Sequence, residues 1–160
     1  MDWQNLIISL GLTFIFTWLI GYERQKIGKD AGISAHVLMA MAACAIAIMQ
    51  REMYLESKKL VLDNPELVGK VVVENQRIIA QVITGIGFIG AGIILKSGGH
   101  VRGLTTAATL WTSAIIGLIM GTGYYILGSI LGGFSVIFMY VRDFYRGFNP
   151  FKKQKHDIND

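Results

Sequence analysis

The sequence predicts an all-α polytopic membrane protein with about five transmembrane helices, N-terminus outside and C-terminus cytoplasmic. Three observations lead there. First, 52% of the 160 residues are hydrophobic and only 16% are charged, whereas a soluble domain averages about 25% charged. Second, the charges fall into a few blocks, and the uncharged runs between them are long enough to cross a hydrocarbon core of ~30 Å as helices. Third, the bases are unevenly shared between the two sides that alternating spans define. Arg24, Lys26, Lys29, Lys96, Arg102, Arg142, Arg146, Lys152, Lys153 and Lys155 gather on one side, ten of the fifteen. Arg51, Lys58, Lys59, Lys70 and Arg77 lie on the other, among neighbouring acids. An excess of Lys and Arg marks the cytoplasmic side. The net charge of +4 therefore reads as membrane orientation, and no nucleic-acid partner is expected.

The first span covers about residues 4–21, with Trp3, Trp18 and Tyr22 near its ends as an interfacial aromatic belt. No basic leader or small-residue cleavage site precedes it, so it reads as a retained span and not a signal peptide. The second span, about 33–49, is rich in Ala and Met and carries His36 one turn inside its start. An outer polar loop, 50–77, follows with five acids and five bases. Within it Asn64-Pro65-Glu66 has the form of a helix start, and one or two short helices outside the bilayer are expected. The third span, about 78–95, would be ~27 Å long as a helix. After the turn Lys96–Gly103 no charge occurs until Arg142, a stretch that would reach ~58 Å as one helix. It must fold back, and Gly121-Thr122-Gly123 is the place, giving spans of about 104–120 and 124–140. Gly117/Gly121 and Gly128/Gly132 are spaced to pack this last hairpin against itself. Residues 1–145 thus make one transmembrane domain, and 146–160 a basic cytoplasmic tail placed to touch anionic lipid.

The third span is expected to be the central helix. Gly85, Gly87, Gly90 and Gly92 sit in its middle, and at ~100° per residue they divide between two nearly opposite faces. Small residues on two faces allow two close helix neighbours. Gln81 shares the Gly85/Gly92 side, and Trp111 on the next span reads as packing or belt. Gly85-x-Gly87-x-x-Gly90 also spells the dinucleotide-binding pattern. That pattern needs an acidic residue about 20 positions on, yet no Asp or Glu occurs between Glu74 and Asp143.

The predicted topology gathers the unusual polar residues at the inner face. Glu23 and Arg24 end the first span, Lys29 and His36 open the second, and Arg102, Thr105 and Thr106 open the fourth, while Arg77 stands alone as an outer-face candidate. Two helix N-termini plus Lys29 and Arg102 would suit an anion such as a lipid head group, a phosphate or a partner carboxylate. The same bases would also serve topology alone, with Thr105 as a helix cap. Glu23 is taken as the single carboxylate abutting a span at this face, either solvated or paired with Arg24, Lys26 or a bound cation. His36 reads as a packing histidine or a ligand. Thr84, Thr109 and Thr112, with Gln81, would bond across helices or line a polar path. No hydrolytic triad, no carboxylate pair within the spans and no His/Cys metal spacing is present, and Cys44 is the single cysteine, so no enzyme activity is expected. Magnesium favours carboxylate oxygens, which spans two to five lack.

At these residues the chain resembles the MgtC/SapB family of bacterial inner-membrane proteins. The likeness is carried by Gly21-Tyr22-Glu23-Arg24-Gln25, by Gly28-Lys29-x-Ala31-Gly32 with His36, and by Arg77-x-x-Ala80-Gln81. It continues through Gly85-Ile86-Gly87-Phe88-Ile89-Gly90-Ala91-Gly92, Val101-Arg102-Gly103-Leu104-Thr105-Thr106-Ala107-Ala108 and Trp111. The resemblance implies a five-span inner-membrane domain and a link to magnesium limitation, acid tolerance or survival in host cells. Three departures stand out: Ser34-Ala35-His36 replaces the usual Arg-Thr-His, the loop 50–74 is longer, and the soluble ACT-like C-terminal domain of many virulence-associated members is expected to be absent. The reading is then a regulator or interaction partner, binding lipids and itself or another inner-membrane protein. Its alternatives are a transporter or channel for magnesium or another ion, with Glu23 as candidate metal ligand, and a sensor of anionic lipid or phosphate. No cofactor is predicted, though Mg2+ is left open.

Overall fold

The computed structural model describes residues 3–67, 75–97 and 100–145. Five α-helices occur among them: α1 Trp3–Lys26, α2 Ile33–Asp63, α3 Asn75–Ile93, α4 Leu104–Gly121 and α5 Tyr125–Tyr145. A 3-10 turn, Pro65–Leu67, follows α2, and two short strands, β1 Leu95–Ser97 and β2 His100–Arg102, pair antiparallel between α3 and α4. The all-α polytopic membrane fold is the one the sequence predicts. Helices α1, α2, α4 and α5 are each long and apolar enough to cross a membrane, and the described part of α3, Arg77–Ile93, is a shorter apolar helix.

The helices alternate in direction. Tyr125 at the head of α5 donates to the carbonyl of Asn5 near the start of α1, and Arg51 of α2 reaches the α4–α5 turn beside Gly123. At the other end Arg142 of α5 meets Glu23 of α1, and the α1–α2 corner faces the head of α4. Turns at Gly28 (φ 66) and Gly123 (φ 94) use the left-handed backbone that glycine enters without strain.

The central helix is α4, not α3. It packs against α1, α2, α3 and α5, while α3, among the described residues, leans chiefly on α2 and α4. Accordingly 61% of the apolar window of α4 is buried, against 17% of that of α5. The physical reason lies in the small residues of α2 and α4. Ala40, Ala43, Cys44 and Ala47 form one fully buried stripe on α2, and Gly117 and Gly121 of α4 lie against the carbonyls of Ala40 and Cys44 so closely that a Cβ on either glycine would overlap them. Without a hydrophobic drive between helices in lipid, such backbone approach is what holds them together. Gly117/Gly121 therefore pack α4 on α2, not on α5 as expected. Gly132 sits on the Phe16 ring of α1, and Gly128 alone meets α4, at Met120.

Two apolar clusters fill the interior. Ile20, Cys44, Ile48, Ile116, Met120 and Met139 join α1, α2, α4 and α5; Ala43, Ala47, Ile86, Ala114 and Leu118 join α2, α3 and α4. A third seam is polar. Ser9, Thr13 and Thr17, one turn apart on α1, are fully buried, and their hydroxyls donate to Asn5 O, Ser9 O and Thr13 O at 2.7–2.8 Å. Each thereby satisfies itself on its own helix.

The second helix also differs from expectation. It does not stop at Met49 but runs on through Asp63, ~46 Å of helix against ~30 Å of hydrocarbon. Glu, Lys, Leu and Met are strong helix formers, and no Gly or Pro interrupts residues 50–63, so leaving the apolar phase gives no reason to leave the helix. Asn64 closes α2, its side-chain amide donating to Leu60 O at 2.9 Å, and Pro65 opens the 3-10 turn. The remainder of the loop to residue 74 and the tail 146–160 lie outside the described residues.

Candidate functional site

The corner between α1 and α2 is built by three glycines and one glutamine. A Cβ on Gly21 would stand 2.6 Å from Ile33 Cα, which brings the end of α1 across the start of α2. Gly32, the residue before α2, has no side chain to cap the helix. Gln25 does this instead, its Oε1 accepting from Ile33 N at 3.3 Å. The Gly21…Gln25 and Gly28…Gly32 blocks are thus two halves of one joint.

On the far side of this joint, Gly103 (φ 82) lies so close to the Ile93 carbonyl that a Cβ would overlap it. Its left-handed turn swings the chain from β2 into α4, whose first intrahelical bond is Ala107 N to Gly103 O, 2.8 Å. The N–H groups of Leu104, Thr105 and Thr106 precede that bond and have no acceptor within the helix. Thr105 is exposed and lies inside α4, and the cap position is Gly103.

Between the joint and the head of α4 opens a cleft of about 520 Å³. Arg24, Lys29, Arg102, Thr105 and Thr106 all line it, with Asp30 as its acid. Five of the seven inner-face candidates are therefore brought to one place. Arg24 is 1% exposed and donates from Nη2 to Thr106 Oγ1 at 3.0 Å.

The other two go elsewhere. His36 is fully buried and bridges α2 to α4. Its Nδ1 donates to Gly32 O at 2.7 Å, and its Nε2 faces Thr109 Oγ1 at 3.1 Å. Thr109 Oγ1 also lies 3.0 Å from Thr106 O, so its one proton serves two acceptors.

Glu23 is not solvated, and the base within ion-pair distance is Arg142, while Arg24 acts on it from further off. It is 3% exposed, and its Oε1 accepts from Arg142 Nη2 at 3.5 Å. Lys26 instead sits over the Tyr22 ring, 5.7 Å from its centre. Arg142 also holds Asp143, donating from Nε at 2.9 Å and Nη2 at 2.7 Å to Oδ1. The two carboxyl groups share Arg142 as donor and are close enough to act on each other's ionisation, and one oxygen of each, Glu23 Oε2 and Asp143 Oδ2, is buried without a partner. Glu23 is thus not the single carboxylate at this face: Asp143, just past the fifth expected span, shares its base Arg142. The signal was available: Asp143 abuts the end of an apolar run just as Glu23 does.

On α3 the candidates face outward. Gln81, Gly85, Gly87 and Gly92 are exposed, and a Cβ on any of these three glycines would meet nothing within 4 Å. Gly90 alone is buried, 3.7 Å from Ala107 Cβ by the same measure. Trp111 is 43% exposed on α4, and Arg77 is exposed near the start of α3. Among the described residues no group of three or more His, Cys, Asp or Glu side chains is placed to hold a metal ion.

Residues 10–148 match the model of the MgtC family, a span that contains the joint, the cleft and the Glu23–Arg142–Asp143 cluster. The chain belongs to the MgtC family. Among its relatives, the candidate magnesium transporter YhiD of Escherichia coli (strain K12) is 44% identical over 124 residues, 78% of this chain and 54% of YhiD. Protein MgtC of Brucella abortus (strain 2308) is 38% identical over 126 residues, 77% of this chain and 46% of that protein. Protein SapB of Bacillus subtilis (strain 168) is 32% identical over 122 residues, 76% of this chain and 49% of that protein. This MgtC-family chain therefore spans about half the length of the curated relatives it matches. No solved structure matches it.

Proposed function

We propose that this MgtC-family chain is a multi-pass protein of the bacterial inner membrane that serves magnesium homeostasis as a regulator, docking another membrane helix on the outward face of α3. The relative named for magnesium transport supports the physiological setting. The observation that carries the docking reading is the open glycine face. Gly85 and Gly92 have room beside them that nothing among the described residues fills, and Gln81 and Thr84 are exposed on the same helix. Glycines without a close neighbour are wasted in a membrane helix, where small residues serve close approach, and an exposed amide is better satisfied by a second helix than by acyl chains. The occupant is itself or another inner-membrane protein.

A photocrosslinking residue at Phe88, which is 82% exposed, tests this in native membranes. A discrete crosslinked species that disappears in Gly85→Leu and Gly92→Leu is the expected result. Both substitutions have space among the described residues, so their loss of crosslinking would not reflect misfolding. A crosslink that persists in both variants counts against the docking face.

A second reading, ion transport, draws on a different observation: the buried Glu23–Asp143 pair, each with an unpartnered oxygen, offers the carboxylate chemistry that magnesium prefers. Magnesium flux into liposomes separates the two. Flux above that of empty vesicles, lost in Glu23→Gln, would establish transport and displace the regulator.

A further inference from the structure

The cleft at the head of α4 is electrostatically incomplete. Arg24 is 1% exposed, yet among the described residues no carboxylate comes within ion-pair distance of it, because Glu23 turns to Arg142. One of its nitrogens, Nη2, is used on Thr106, while Nε is buried with no hydrogen-bond partner. Glu23, Asp143 and Asp30 act on it only from beyond ion-pair distance, and a buried guanidinium without a directly bonded countercharge is disfavoured. Two further bases, Lys29 and Arg102, line the same cleft against a single acid, Asp30, so three positive charges face one negative. The free N–H groups at the start of α4 add the positive end of an 18-residue helix.

We propose that this cleft binds a phosphate group, which supplies the direct anionic partner that Arg24 lacks among the described residues. The planar guanidinium fork matches phosphate oxygens, Lys29 and Arg102 add flexible charge at the rim, and the helix start presents backbone donors to a third oxygen. Asp30 sets a limit on the charge the cleft accepts. The phosphate can come from two sources. A free phosphate needs only the cleft. A lipid phosphate would also use the neighbouring apolar groove of about 240 Å³, which shares Thr105 with the cleft and is lined by Phe134, Phe138 and Met139. The site does not depend on the docking face of α3.

The test uses the full chain in phosphatidylcholine nanodiscs with two probes. Inorganic phosphate is titrated and followed by ³¹P line broadening, and phosphatidic acid retention is read by native mass spectrometry. At least one probe is expected to bind the wild type, and Arg24→Gln to weaken it by roughly tenfold or more, as expected for lost charge-assisted bonds. Because Arg24 is buried, the exposed pair Lys29→Ala/Arg102→Ala provides an independent variant with the same expected direction, and Arg51→Gln at the opposite end should leave binding unchanged. Retention of phosphatidic acid alone makes the ligand a lipid head group; binding of both probes makes it free phosphate chemistry. Failure of both probes, or binding that survives the Lys29→Ala/Arg102→Ala change, overturns the proposal.

Discussion

Arg142 is the residue on which the buried acids depend. It is the donor to Glu23 and to Asp143, both of which are nearly withdrawn from solvent. Removing one member of a buried charge cluster leaves the others uncompensated, so Arg142→Gln should destabilise the protein by about 3 kcal/mol. The measurement is the thermal midpoint in detergent, with a double-mutant cycle against Glu23→Gln. Residues in one network are non-additive, so the double variant should lose less than the sum of the two singles. Strict additivity would mean that the 3.5 Å contact carries no energy. This cluster also marks where sequence reading stops at this scale. Glu23 announces itself as a lone acid beside an apolar run, but nothing local tells that its base lies 119 positions away. The neighbouring Arg24, the obvious partner by sequence, points to Thr106 instead.

At the scale of the helix, the glycines divide into those already occupied and those left open, and substitution should separate them by sign. Gly117→Ala drives a methyl group into the Ala40 carbonyl; overpacking of this kind costs about 1–3 kcal/mol, and backbone cannot rotate away as a side chain can. Gly85→Ala meets nothing within 4 Å and gains helix propensity, up to about 1 kcal/mol. Thermal unfolding of the two variants in the same detergent should therefore move the midpoint down for the first and leave it level or raise it for the second. A matching fall in both would mean that the α3 face is packed in the isolated protein. The sequence displays both sets of glycines equally well. What it does not display is the opposing surface: the Ala40-Ala43-Cys44-Ala47 stripe has the spacing to receive Gly117 and Gly121, but so do several other stripes, including Ser9-Thr13-Thr17 on α1. Hydropathy therefore located the helices, while the choice of α4 over α3 as the centre depended on which small surfaces fit each other. The end of α2 was hidden for another reason, since apolar periodicity reports the bilayer, and helix propensity continues past it.

For the whole molecule, the alternation of five helices brings Lys29, Arg102 and Arg142 to one end and Arg51 with the α4–α5 turn to the other. The basic blocks scattered along the sequence thus converge in space, which is the condition under which an excess of Lys and Arg can orient a protein. The expected orientation follows: the cleft end cytoplasmic, the Arg51 end and the start of α1 outside. Cysteine accessibility decides it cleanly, because the single cysteine, Cys44, is fully buried and should contribute no background to labelling. Lys59→Cys and Lys29→Cys alter exposed side chains near opposite ends. A membrane-impermeant maleimide applied to intact spheroplasts should label Lys59→Cys at once and Lys29→Cys only after permeabilisation. The reverse pattern would place the cleft outside, where a cytoplasmic-leaflet lipid or an intracellular phosphate could not reach Arg24. Labelling of both variants from outside would mean that the bundle is inserted in two orientations and that the base distribution, ten against five, is too weak to choose between them.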